Sequence, residues 1–233
     1  MNNNFLYNAG LVNWFRCPYP IFSCSYRSAH FDNTLYDTMS IAFPDNIHQA
    51  VVKRKAEFLA GRYCAQRALA EIDIEATTLA IGKDRYPEWP ESALGSISHS
   101  DSRAVAIVSK ASDLRGIGID IEKHINENTI ENIQSQILFG TEVDLLSATL
   151  LSKQLFFTIV FSLKESFFKS AYPIVQSYFD FDAITVTHIN VDTGSIMFTL
   201  NCELHNTLQK GRVLHGQFAR VDNEHIATFT AIR

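Results

Sequence analysis

Apolar residues recur with two periods along the 233-residue chain, and the two periods divide it into elements. Short runs that alternate or stay apolar for four to six positions predict strands at Ile21 to Tyr26, Thr78 to Ile81, Gly95 to His99 and Ala104 to Ser109. Between the first two of these, a helical spacing predicts one long helix from about Asn46 to Ile72. The stretch GIGIDIE, Gly116 to Glu122, reads as a further strand, and helices are expected within residues 127–172. Four more strands are expected near Ala183 to Val191, Ser195 to Asn201, Arg212 to Val221 and Ile226 to Ile232. The polar segment Lys110-Ala111-Ser112-Asp113-Leu114-Arg115 is the soft point between strand-like runs, so residues 1–113 and 114–233 are read as two halves. Each half carries a long helix and several closely connected strands. The expectation is therefore an α+β fold of two similar halves, related by a pseudo-two-fold axis, each with a mostly antiparallel sheet against a long helix. No strict sequence repeat accompanies this.

Composition narrows the class. Apolar residues make up 46% of the chain, enough for a substantial core. The formal net charge of -5 speaks against a nucleic-acid partner, which would favour a basic surface. The opening MNNNFLYNAGLVNWFR has no basic stretch followed by an apolar run, and Leu155 to Leu163 is too short to cross a bilayer. A cytoplasmic, monomeric protein without an integral membrane segment is expected. Cys17, Cys24, Cys64 and Cys202 form no CxxC pair, so neither a zinc site nor a disulfide framework is encoded.

The chemistry begins with GIGIDIE. Alternation sends Ile117, Ile119 and Ile121 to a core face and Gly118, Asp120 and Glu122 to the other, where a ligand such as pyrophosphate, or backbone, could come close to the glycines. Two carboxylates about 5 Å apart repel by roughly 3 kcal/mol at an effective dielectric near 20, so a cation is needed beside them. Solvent or a Lys or Arg across an edge strand could also answer that need. In the segment Phe161-Ser162-Leu163-Lys164-Glu165-Ser166-Phe167-Phe168-Lys169, the apolar stripe is read as Phe157, Phe161, Phe168 and Tyr172. Glu165 falls about 40° from Phe161 on a helical wheel, with Lys169 one turn on. An acid among aromatics needs a partner to offset desolvation. A metal shared by Asp120, Glu122 and Glu165 would supply one, and three carboxylates suit magnesium and phosphate chemistry. A Glu165–Lys169 pair on a solvated face is the simpler alternative.

Basic residues supply a second constellation. Arg62 lies about 40° from Phe58 on the wheel of the first long helix, with Arg54 and Lys55 flanking the same sector. A guanidinium there is either a snorkelling or ion-paired side chain or a phosphate clamp. Arg85, followed by Ser98 and His99 at a strand end, adds groups able to bond phosphate oxygens.

Taken in order, AEFLAGR (56–62), RYPEWP (85–90), GSISHS (95–100), GIGIDIE (116–122) and FSLKESFFK (161–169) resemble the 4′-phosphopantetheinyl transferases of the Sfp-like class, the enterobactin synthase component D type in particular. The resemblance implies an enzyme that moves phosphopantetheine from coenzyme A to a serine of an apo carrier protein and releases adenosine 3′,5′-bisphosphate. Its carriers would belong to siderophore, other nonribosomal peptide, polyketide or polyunsaturated fatty acid synthases. It further implies coenzyme A in a cleft between the halves, magnesium on Asp120, Glu122 and Glu165, and Glu165 or a water as base. Lys169 and Lys164 would assist the departing phosphate, while Arg54, Arg62, Arg85, Ser98 and His99 would grip the nucleotide phosphates. Phe161 stands where many relatives carry tryptophan. Residues 1–45 and those after 175 carry no matching motif. Two rival readings are another magnesium-dependent phosphoryl-transfer enzyme or phosphodiesterase, and a non-catalytic synthase-binding module with structural salt bridges.

Overall fold

The computed structural model describes residues 4–75, 79–82 and 86–233. The chain divides into two compact units, Met1–Leu114 and Arg115–Arg233. In the first, strands β1 (Leu6–Leu11), β2 (Ile21–Tyr26), β3 (Ala93–Ser100) and β4 (Arg103–Lys110) form an antiparallel sheet in the order β1-β2-β4-β3. A short helix α1 (Thr34–Thr38) and the long helix α2 (Val52–Ala70) lie between β2 and β3. Helix α2 buries Ala56, Leu59, Ala60, Cys64, Ala65, Ala68 and Leu69 in a shared core with Cys24, Tyr26 and Ala106. The alanines keep the helix close to the sheet, and a Cβ on Gly61 would stand only 2.8 Å from the Ile97 Cγ2 methyl.

The second unit opens with β5 (Gly116–Lys123), then helices α3 (Glu127–Ile137), α4 (Glu142–Ala148) and α5 (Lys153–Val175). Strands β6 (Ile184–Asn190), β7 (Ser195–Leu200), β8 (Val213–Arg220) and β9 (His225–Ile232) complete an antiparallel sheet in the order β5-β9-β8-β7-β6. Asn126 caps α3 by accepting from the Thr129 N–H, and Ser152 caps α5 by accepting from the Leu155 N–H. The α+β class and the two antiparallel sheets are as expected.

Four local readings change. β1 carries no clean alternation because Asn8 adopts φ 49° and the β1–β2 register shifts between Tyr7 and Gly10, so a bulge hides its period. Helix α2 starts at Val52, since Val51 is extended (ψ 152°) and Asp45–Ile47 forms a separate 3-10 turn. The expected strand at Thr78 to Ile81 begins outside the described residues, and its described part makes one bridge, Ile81 to Pro87.

The fourth concerns the faces of β5. Ile117, Ile119 and Ile121 are buried as expected, yet Gly116 and Gly118 are buried too. A Cβ on Gly116 would stand 1.8 Å from the Ser170 carbonyl oxygen, and one on Gly118 would stand 1.9 Å from that of Ser166. The glycines therefore make room for the backbone of α5, which takes the space a pyrophosphate was expected to use.

Candidate functional site

Helix α5 meets β5 and β9 through small hydroxyls. Ser162, Ser166 and Ser170 recur every four residues and so share one face. All three are fully buried. Ser166 Oγ donates to the Thr228 carbonyl at 3.0 Å, and Thr230 Oγ1 donates to the Ser166 carbonyl at 3.0 Å. The stripe of Phe157, Phe161, Phe168 and Tyr172 does not face the sheet as one surface. Phe161 packs on Phe181, and Phe168 packs on Tyr178 and Phe179. Hydrophobicity ranks aromatics above serines, whereas the glycines of β5 reward the smallest helix residues.

This close approach builds the polar cluster. Asp120 is 3% exposed, and its Oδ2 accepts a 2.8 Å hydrogen bond from Ser162 Oγ. An ionised carboxylate cannot donate, so the Ser162 proton points to Asp120, and Thr228 Oγ1, 2.9 Å away, can donate in turn to Ser162. Lys169 Nζ donates to Asp120 Oδ1 at 2.7 Å and to the Ile119 carbonyl at 3.3 Å. Glu165 lies between Ser162 and Lys169 on the helix and is half-buried. Burial pushes its proton affinity above the ordinary carboxylate range; Lys169 opposes this and Asp120 adds to it. Asp120, Glu165 and Lys169 are thus one electrostatic group. Glu122 follows Asp120 on the same face of β5, opposite Ile226, and is half-buried. Beyond Glu165 the aromatics Phe167, Phe168, Tyr178, Phe179 and Phe181 line a cavity of about 80 Å³.

Lys164 borders the same cavity, but its charge is directed elsewhere. Its Nζ donates to Glu142 Oε2 at 2.8 Å and to the Ile137 carbonyl at 2.7 Å, and the ammonium and carboxylate are both buried. Glu142 also accepts from the N–H groups of Phe139 and Val186, so one buried ion pair ties together the end of α3, the start of α4, α5 and β6. In this unit the charge of Lys164 is committed to Glu142, while the residue also borders the cavity beside Glu165. Consecutive helix positions differ by about 100°, which sends the side chains of Lys164 and Glu165 in different directions.

In the N-terminal unit α2 and β3 assemble Arg54, Glu57, Arg62 and His99. Arg54 Nη1 stands 3.2 Å from His99 Nε2 and 3.8 Å from Glu57 Oε2. Arg62 is 7% exposed, lies over the Phe58 ring at 4.6 Å and donates through Nη2 to the Ala80 carbonyl at 3.3 Å. Among the described residues its Nε–H is buried without a hydrogen-bond partner. Burial and the neighbouring Arg54 bring its guanidinium down to about 10. Strand alternation places the Ser98 side chain on the face opposite His99, so these two neighbours do not project together. Lys55 approaches the Phe43 ring instead, at 5.7 Å. Arg85 lies outside the described residues.

Three contributors escaped the sequence reading. Ser162 could have been found from the Ser-x3-Ser-x3-Ser spacing opposite Gly-x-Gly. Glu57 was visible as an acid one turn after Lys53. Glu142 carried no signal, since two of its three partners, Lys164 of α5 and Val186 of β6, are distant in sequence. Among the described residues no three His, Cys, Asp or Glu side chains form a group that could hold a metal ion, and no helix is long and apolar enough to cross a membrane.

Comparison with known proteins adds to this geometry. Residues 43–109 match the 4′-phosphopantetheinyl transferase N-terminal domain, and residues 116–230 match the 4′-phosphopantetheinyl transferase superfamily. The enterobactin synthase component D of Salmonella typhi is 36% identical over 155 residues, covering 66% of this chain and 64% of the relative. That of Escherichia coli K12 is 40% identical over 119 residues, 51% of this chain and 55% of the relative. The 4′-phosphopantetheinyl transferase Svp of Streptomyces mobaraensis is 29% identical over 185 residues, 77% of this chain and 73% of the relative. The chain spans less than two thirds of the length of both enterobactin synthase components.

Proposed function

Because the chain belongs to the 4′-phosphopantetheinyl transferase superfamily, we propose that it transfers the 4′-phosphopantetheine of coenzyme A to a serine of an apo carrier protein. The observation that carries this reading is the Asp120–Ser162–Glu165–Lys169 cluster, built by a strand and a helix that both fall within the matched residues 116–230. The names of the relatives favour carriers of siderophore synthesis, with other nonribosomal peptide, polyketide and fatty acid carriers as further substrates.

The donors fit a hard divalent cation in type, since Asp120, Glu122 and Glu165 offer carboxylate oxygens. Among the described residues they are not gathered into a group ready to hold a metal, so the fit rests on donor chemistry. These three residues would hold magnesium, which when bound neutralises charge on the pyrophosphate oxygens. Ser162 and Lys169 fix Asp120 in one orientation before any ligand arrives. Glu165 takes the proton of the carrier serine as its oxygen bonds to the phosphorus of the pantetheine side. The pyrophosphate P–O bond breaks, and adenosine 3′,5′-bisphosphate leaves with its charge countered by Lys169. Arg54, Arg62 and His99 bind nucleotide phosphates. The unpartnered Nε–H of Arg62 supports this assignment, since a buried donor gains most from a charged acceptor.

Incubation with coenzyme A, magnesium and several apo carriers, followed by mass spectrometry, tests the proposal. The expected result is a gain of one phosphopantetheine on at least one carrier, abolished by Asp120→Ala. The Lys169–Asp120 pair also suits a binding module with structural ion pairs. That reading gains if every carrier keeps its mass while still binding the protein.

A further inference from the structure

His99 is held by Arg54 in a way that fixes its protons. A guanidinium only donates, so the 3.2 Å contact between Arg54 Nη1 and His99 Nε2 makes Nε2 the acceptor. The ring proton then sits on Nδ1, which faces Glu57 Oε2 at 4.0 Å, ion-pair range rather than hydrogen-bond range. Glu57 is 12% exposed and stands 3.8 Å from Arg54 and 3.9 Å from Lys53 as well. One carboxylate thus faces three groups that carry or can acquire positive charge.

We propose that Glu57 is a positioning residue which lets His99 take up a proton when a phosphate group draws Arg54 away from its Nε2. The inference rests on the reading that Arg54 and His99 bind nucleotide phosphates. A phosphate oxygen accepts the Arg54 N–H, and Nε2 loses its donor. Solvent then supplies a proton to Nε2, which donates to the same anion, while Glu57 balances the imidazolium through Nδ1–H.

The surrounding groups are consistent with this. On α2, Lys53, Arg54 and, through Arg54, Arg62 oppose a further positive charge, and Glu57 favours it. On β2, burial first and then Glu57 hold the Tyr26 phenol neutral, with Asp101 of the β3–β4 turn acting in the same sense. On β4 the residue opposite His99 is Ala104, which carries no charge. Among the described contacts, Glu57 is the carboxylate that faces the His99 ring and so favours its charged form.

Calorimetry of the full chain with adenosine 3′,5′-bisphosphate, in two buffers of different ionisation enthalpy near pH 7.5, counts the protons taken up on binding. Wild type is expected to take up more than His99→Gln, and Glu57→Gln to match His99→Gln while binding about three- to tenfold more weakly than wild type. Glu57→Asp should recover part of the uptake, which a purely structural role would not require. The His99→Gln comparison stands independently of whether Glu57→Gln folds. Equal proton counts in wild type and His99→Gln, with tight binding, overturn this inference alone. Absence of binding by folded wild type overturns the coenzyme A reading and this inference together.

Discussion

Adding one methyl group at Gly118 tests the link between fold and site. The new Cβ would lie 1.9 Å from the Ser166 carbonyl oxygen and 2.9 Å from the Ser170 nitrogen, both backbone atoms of α5. No rotamer relieves such a clash. The helix must retreat by about 1 Å, and overpacking of this kind costs about 1–3 kcal/mol. The retreat falls between Ser162 and Lys169, the two residues that hold Asp120 from either side. A misplacement near 1 Å can cost about a hundredfold in rate, so Gly118→Ala should lose far more activity than stability. Urea denaturation and the transfer rate to an apo carrier are measured together. Gly10→Ala, where an added Cβ meets nothing within 4 Å, serves as control and should change stability by less than about 0.5 kcal/mol. A Gly118→Ala protein with unchanged stability and rate would refute the idea that glycine sets the distance between α5 and β5.

Further outcomes follow from the same packing and charges. Lys164→Met leaves Glu142 buried without its ammonium and should cost about 3–5 kcal/mol in denaturant unfolding. Adding Glu142→Gln should return part of that loss, whereas a catalytic lysine would show lost rate at full stability. Glu165 holds its proton more tightly when folded because of burial, with Lys169 opposing and Asp120 adding. Its contribution is therefore most favourable below the ordinary carboxylate range and is lost as pH rises through the folded value. Glu165→Gln should gain stability relative to wild type as pH rises above the ordinary carboxylate value of 4.5 in metal-free buffer, and a difference independent of pH would contradict the shift. Arg62→Met removes a buried guanidinium with an unpartnered Nε–H, so it should stabilise the ligand-free protein by about 1 kcal/mol while weakening coenzyme A binding at least about tenfold. Thermal melts and calorimetry read both effects, and loss of stability with unchanged affinity would place Arg62 in the core instead.

Local order in the chain was enough for the α+β class, for most of the elements and for Asp120, Glu165 and Lys169 as candidates. Alternation is a property of any strand, so the acids of GIGIDIE share a face whatever packs on it. Likewise Glu165 and Lys169 lie one turn apart on any helix. What packs against a face is not local. Both ends of the contact must be known before a glycine can be read as room for a ligand or room for a backbone. At Gly116 and Gly118 the occupant is α5.

The same reason separates Lys164 from Lys169. Both are lysines in one nine-residue segment; periodicity sets Lys169 one turn from Glu165 and Lys164 about 100° from it, but names the partner of neither. Tertiary structure commits Lys164 to Glu142, 22 residues earlier, and Lys169 to Asp120, 49 residues earlier. Helix caps, strand faces and charge spacing are properties of neighbours in sequence, and the chain alone determined them. Which carboxylate each ammonium meets depends on how α4, α5 and β5 come to lie together, and burial makes that choice costly to reverse.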